Sequence, residues 1–119
     1  MTVFTYAILF AGDMGRSVAF YRDIVGLPLK FESPEWSEFA TGSTTLAIHI
    51  ASGPPAEPKL RAPGQCNIGF SVPDLDEFHR KMQSNGVACL ESPKTEDFGR
   101  MAVYADQDGA ILTAVQART

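Results

Sequence analysis

The side chains of this chain that can do chemistry fall in a few short stretches. Glu38 and His49 are a carboxylate and an imidazole on what read as neighbouring strands. Such a pair can pass a proton, or start a displaced metal site, although two donors alone hold a metal weakly. The plainer alternative for His49 is a pocket-wall histidine hydrogen-bonded to a neighbour. Trp36 and Phe39 lie beside Glu35 and Glu38, and Phe98 beside Glu96 and Asp97. Aromatic faces next to carboxylates suit a flat cationic molecule; the alternative is a Trp36 packed at a subunit interface with solvated acids around it. Arg100, just after Gly99, can clamp a carboxylate or phosphate, or form an ordinary surface ion pair. Tyr6 and Tyr104 offer hydroxyls. Ser17, Ser71 and Thr113 have no visible histidine–acid partnership, so a hydrolase triad has no support. Cys66 and Cys89 are too few and too isolated to make a metal pattern and read as small buried hydrophobes. No glycine-rich phosphate cradle is present, and His79 reads as a partly exposed helix residue.

Positioning these residues falls to a unit that occurs twice. Residues 4–11 form an almost wholly apolar run, as expected of a strand buried on both faces, with Tyr6, Ile8 and Phe10 on one side. Gly12-Asp13 breaks it, and Asp13 is placed to cap a helix running to about Val25. Gly26 is a natural stop. Strands follow over about 29–32, 36–41 and 44–51; in the last, Leu46, Ile48 and Ile50 share one face and Ala47 and His49 the other. Residues 53–64, GPPAEPKLRAPG, carry four prolines without periodicity and read as a linker or surface excursion.

The order then repeats. A strand over 67–72 is broken at Pro73-Asp74, and a helix striped by Leu75, Phe78 and Met82 ends at Asn85-Gly86. Strands are expected over 87–91, 100–105 and 110–116, with a polar loop at 92–99 and a turn at Asp106–Gly109. Asp13 and Asp74, like Gly26 and Gly86, are separated by about 60 residues. A constant offset across strand, cap, helix and stop marks an internal repeat. Repeat one spans about 3–52 and repeat two about 65–117 of a single domain, 1–119.

Composition bounds the function. With 119 residues the chain suits one compact domain, or two very small ones fused. A net charge of −4 with scattered Lys and Arg argues against a nucleic-acid partner. No apolar run is long enough for a membrane span, and the first residues lack a signal-peptide pattern, so a cytoplasmic location is expected.

Three stretches, GDMGRSVAFYRDIVGLPL, VPDLDEFHRKMQSNGV and the DQDG turn before a final apolar strand, resemble the vicinal oxygen chelate superfamily. That group contains glyoxalase I, extradiol dioxygenases, fosfomycin-resistance enzymes and bleomycin-resistance proteins. The resemblance implies an α+β fold in which two βαβββ repeats form a curled mixed sheet around a cleft, commonly in a homodimer. Metal-dependent members hold a divalent ion at positions that correspond here to Tyr6, Ala47, Asn67 and Thr113. The family pattern there is His, Glu or Gln, His and Glu, and this sequence departs at every one. Alanine has no donor, neutral Thr and Asn oxygens are weak ligands, and a tyrosine phenol must ionise to bind well.

The resemblance is therefore closest to the metal-free, bleomycin-resistance-like branch. It implies metal-independent binding of a small organic molecule, such as a cationic aromatic, in the inter-repeat cleft, with no cofactor. The expected ligand-binding residues are Tyr6, Ile8, Trp36, Glu38, Ala47, His49, Asn67, Ser71, Arg100 and Thr113. Stacking falls to Trp36, charge pairing to Glu38, and polar orientation to His49 and Asn67. Two alternatives remain: a glyoxalase-type lyase or isomerase, or a dioxygenase, using a relocated metal or Glu38 and His49 as an acid–base pair; and an interaction module whose cleft is closed by side chains.

Overall fold

A computed structural model describes residues 1–118; Thr119, the end of the expected domain, lies outside them. The chain forms two compact units, Met1–Pro55 and Ala56 onward. In the first, strand β1 (Tyr6–Ala11) leads into helix α1 (Met14–Ala19) and a π-helical turn, Phe20–Val25, followed by β2 (Leu29–Phe31), β3 (Trp36–Phe39) and β4 (Thr45–Ile50). In the second, β5 (Asn67–Ser71) leads into α2 (Leu75–Ser84), β6 (Ala88–Glu96), β7 (Gly99–Ala105) and β8 (Ile111–Ala117). Each unit carries one four-stranded sheet, ordered β1-β4-β3-β2 and β5-β8-β7-β6. In both, the first strand runs parallel to the last and the remaining pairs are antiparallel. A parallel return needs a crossover, and the helix supplies it.

The local signals act as their chemistry requires. Asp13 is extended, and its carboxylate accepts from the Arg16 amide at 3.1 Å; Asp74 does the same for Glu77 at 3.1 Å. Each satisfies an amide that the first helical turn leaves without a partner. After Ala19 the first helix widens. The Gly26 amide donates to the Tyr21 carbonyl, a five-residue span, and Gly26 ends the turn at a φ of 94°. Asp106 organises the last hairpin, its carboxylate accepting from the Asp108 and Ala110 amides.

One face of each sheet is covered by its helix. In the first unit Met14, Val18 and Tyr21 lie buried with Phe39, Leu46 and Ile48. The Tyr21 and Phe39 rings meet edge to face at 6.1 Å, and the Ser37 hydroxyl donates to the Met14 sulfur. In the second unit Leu75 and Met82 are buried with Ala102, Tyr104, Leu112 and Ala114. Burying one such large side chain contributes about 1.5–3 kcal/mol.

Three details differ from the sequence reading. The polar stretch 92–99 is not a loop: β6 continues to Glu96, and its pairing with β7 slips between Glu91 and Lys94. The slip accommodates Pro93, which has no amide to give, on a strand at the edge of the sheet. Cys66 and Cys89 are exposed rather than buried. And β1 is not buried on both faces: Tyr6, Ile8 and Phe10 are 45%, 43% and 63% exposed.

Candidate functional site

The open face of the first sheet is built by strand alternation. Side chains on one strand point alternately to the two faces, so Ala7, Leu9 and Ala11 turn to the helix while Tyr6, Ile8 and Phe10 turn away. Register extends that face across neighbouring strands. Phe10 lies opposite His49, and His49 opposite Trp36; Ile8 lies opposite Ala47, and Ala47 opposite Glu38. Tyr6, Ile8, Trp36, Glu38, Ala47 and His49 are thereby brought together on one surface.

Its aromatic rings form a connected wall. The Trp36 indole stands edge to face against Tyr6 at 5.9 Å and 72°, and against His49 at 6.0 Å and 85°. His49 in turn lies 5.8 Å from Phe10. Ala47 is completely buried. Tyr6 and Trp36 belong to strands on either side of β4, yet their rings come within contact distance. They therefore reach toward each other over β4, above the small Ala47 side chain.

Polar groups fix this wall. The indole Nε1–H of Trp36 donates to a Glu38 carboxylate oxygen at 2.9 Å. The other Glu38 oxygen lies 3.7 Å from the Lys30 ammonium. The Trp36 carbonyl accepts from the Ser33 hydroxyl. Glu38 is only 9% exposed, so its charge is directed at the indole and the lysine rather than displayed to solvent. His49 Nδ1 lies 2.6 Å from the Ile50 carbonyl. A carbonyl only accepts, so Nδ1 carries the hydrogen, and in the neutral ring Nε2 presents a lone pair. No hydrogen bond among the described residues joins Glu38 to His49, so the two candidates for acid–base work are engaged elsewhere.

The remaining candidates lie in the second unit. Asn67 and Ser71 are exposed on β5, and Thr113 is half-buried on β8. Register puts Gly69 opposite Thr113, between those two, so the three residues share the face turned away from α2. Arg100 does not join them. It lies on the same side of β7 as Tyr104, and its guanidinium pairs with Asp76 of α2 at 2.9 Å. Tyr104 is fully buried there, with its hydroxyl 2.7 Å from His79 Nδ1. Burial first, and nearby Cys89 second, push the Tyr104 phenol above its ordinary range, so it stays protonated as part of the packing.

Phe10 and Lys30 are the site members that the sequence reading passed over. Phe10 was findable, because it alternates with Tyr6 and Ile8. Lys30 carried no signal: its approach to Glu38 depends on the β2–β3 pairing, whose register shifts between Leu29 and Phe31.

A divalent metal of the kind used by metal-dependent relatives does not fit this donor set. Ala47 offers no donor and is buried, and Tyr6 beside it presents a phenol packed against Trp36. Among the described residues no group of three or more His, Cys, Asp or Glu could hold a metal ion. Likewise among them, no helix is long and apolar enough to cross a membrane.

Comparison with known proteins shows the family and the fold. The phenazine antibiotic resistance protein EhpR of Enterobacter agglomerans is 27% identical over 111 residues, covering 88% of this chain and 84% of that protein. The metallothiol transferase FosB of Staphylococcus haemolyticus is 28% identical over 112 residues, covering 91% of this chain and 76% of that one. The crystal structure of a glyoxalase/dioxygenase from Nostoc punctiforme superposes with a TM-score of 0.82 at 22% identity, over 96% of this chain and 90% of that one, showing a shared fold. The family model for the Glyoxalase/Bleomycin resistance protein/Dioxygenase superfamily matches residues 3–113, and the chain belongs to that superfamily.

Proposed function

We propose that the protein binds a flat small organic molecule, without a metal or other cofactor, against the open aromatic face of its first sheet. The observation that carries this reading is the exposed row of Tyr6, Ile8 and Phe10 beside Trp36 and His49. Rings and aliphatic side chains left in water on a sheet face mark a binding surface. The few polar groups, His49 Nε2 and the Tyr6 hydroxyl, can orient a ligand on it. EhpR, a resistance protein for an antibiotic class, supports the same direction. Metal independence is supported by the donor chemistry at Tyr6 and Ala47. Binding by sequestration, in the cytoplasm and as a homodimer, completes the reading.

Differential scanning fluorimetry against a panel of flat heteroaromatic compounds tests it. A compound at 100 times its Kd adds about 2.7 kcal/mol, and chelator treatment should leave that gain unchanged. Stoichiometric Zn, Ni, Fe or Mn in the purified protein, lost together with ligand binding on chelation, would overturn it in favour of a relocated metal centre.

A further inference from the structure

We infer that Glu38 is a specificity-determining positioning residue that acts through Trp36, and that Lys30 sets how strongly it acts. This rests on the binding surface proposed above and says which ligand that surface prefers: a cationic planar ring over a neutral ring of the same outline.

The geometry separates this role from direct charge pairing. Glu38 lies almost out of reach of solvent, with one carboxylate oxygen on the indole N–H at 2.9 Å and the other 3.7 Å from Lys30. A ligand on the open face meets the indole, not the carboxylate. The hydrogen bond does two things to that indole. It fixes the ring angle, together with the edge contacts from Tyr6 and His49. It also polarises the ring, because a charged acceptor on Nε1–H pushes electron density into the π system. The negative ring face that attracts cations is strengthened without a bare charge in the site. Lys30 is exposed and works in the opposite sense, offsetting part of the carboxylate charge.

The predicted sign is therefore different for two neighbouring substitutions. The probes are N-methylquinolinium and 1-methylnaphthalene, which share a shape and differ in charge. Glu38→Gln keeps an acceptor for the indole but removes the charge. It should lower the preference for the cation about three- to tenfold, while 1-methylnaphthalene binding stays within about twofold. Lys30→Gln should raise the preference. Trp36→Phe, which has no N–H to donate to Glu38, should erase the response to Glu38→Gln. Glu57→Gln and Lys59→Gln make the same changes in net charge on the proline-rich segment and should leave the ratio alone. Equal weakening of both probes by Glu38→Gln would show a merely structural role and overturn the inference, as would a Lys30→Gln variant that disfavours the cation.

A ligand-free measurement keeps this distinct from the binding proposal. Trp36 is the sole tryptophan, so intrinsic emission reports on it alone. Indole excitation moves electron density away from the five-membered ring, and a carboxylate at Nε1 favours that shift. Glu38→Gln should move emission to the blue and Lys30→Gln to the red. Unchanged emission in both variants overturns the coupling, even if both probes bind. If neither probe binds the native protein, the binding surface falls, while opposite emission shifts still support the coupling of Glu38 and Lys30 to the indole.

Discussion

Ala47 shows how much one residue decides here. By the family resemblance it stands where metal-dependent members carry Glu or Gln, and it is buried under a sheet face crossed by Tyr6 and Trp36. Restoring a donor would not restore a site. Ala47→Glu forces a longer, charged side chain into filled space, which costs about 1–3 kcal/mol for the overpacking alone and more for the buried charge. Urea unfolding should therefore show a lower midpoint for Ala47→Glu, and adding Zn²⁺ should not recover it. A similar economy applies to Tyr104. Tyr104→Phe removes the hydroxyl that His79 Nδ1 shares at 2.7 Å, and should lower stability by about 1 kcal/mol without altering ligand binding on the first sheet.

At the scale of elements, the caps explain why the repeat could be read from the sequence. Asp13 and Asp74 each satisfy one amide at a helix start, and Gly26 takes the left-handed conformation that ends the first helical segment. These are short-range chemical demands, so they leave marks in the local sequence. Asp74→Ala should cost about 1 kcal/mol, and Asp74→Asn far less, as measured by chemical denaturation. What could not be read depended on partners distant in sequence. The run 4–11 is apolar on both sides, and polarity alone cannot tell a covered face from an open one. The stretch 92–99 reads as a loop because Pro93 and its polar neighbours break alternation, yet an irregular pairing with β7 absorbs them. The placement of Arg100 followed from the same limit: its strand was legible, but the side to which it turns was settled by Asp76 on a helix two elements earlier.

At the scale of the whole molecule, the proline-rich segment is less free than its composition implies. The Ala56 amide donates to the Asp108 carbonyl at 3.0 Å. Gly109 sits so close that an added Cβ would meet the Ala56 carbonyl oxygen at 2.0 Å. Further along, Arg61 forms a two-pronged pair with Glu91 of β6, at 2.8 and 2.9 Å. From Ala56 on, the segment is thus tied to the rest of the second unit at two points. The Arg61 hydrogen bond, aided by its charge and by Lys94, holds the Glu91 carboxyl down to about 2. A depressed carboxyl adds stability that is complete above its unfolded value near 4.5 and fades as pH falls toward 2. The pair is exposed on the arginine side, so salt should weaken it. The difference in urea midpoint between the native protein and Arg61→Gln should accordingly be constant above about pH 4.5, shrink below it, and shrink also in high salt.

The bulge in β6 has a consequence for how the molecule behaves in a crowd. This nine-residue strand is the longest among the described residues and lies at the border of its sheet. A long, regular border strand presents a ladder of amides and carbonyls on which another polypeptide can grow, the first step toward fibrils. Pro93 has no amide to offer, the slipped register bends the row, and Lys94 with its partners Glu91 and Glu96 puts charged groups beside the gap. Pro93→Val should complete the ladder and shorten the lag before thioflavin-positive aggregation of concentrated protein, whereas a second substitution on the helix-covered side of the sheet should not. The residue that hides this strand from a reading of the sequence thus also acts as its gatekeeper.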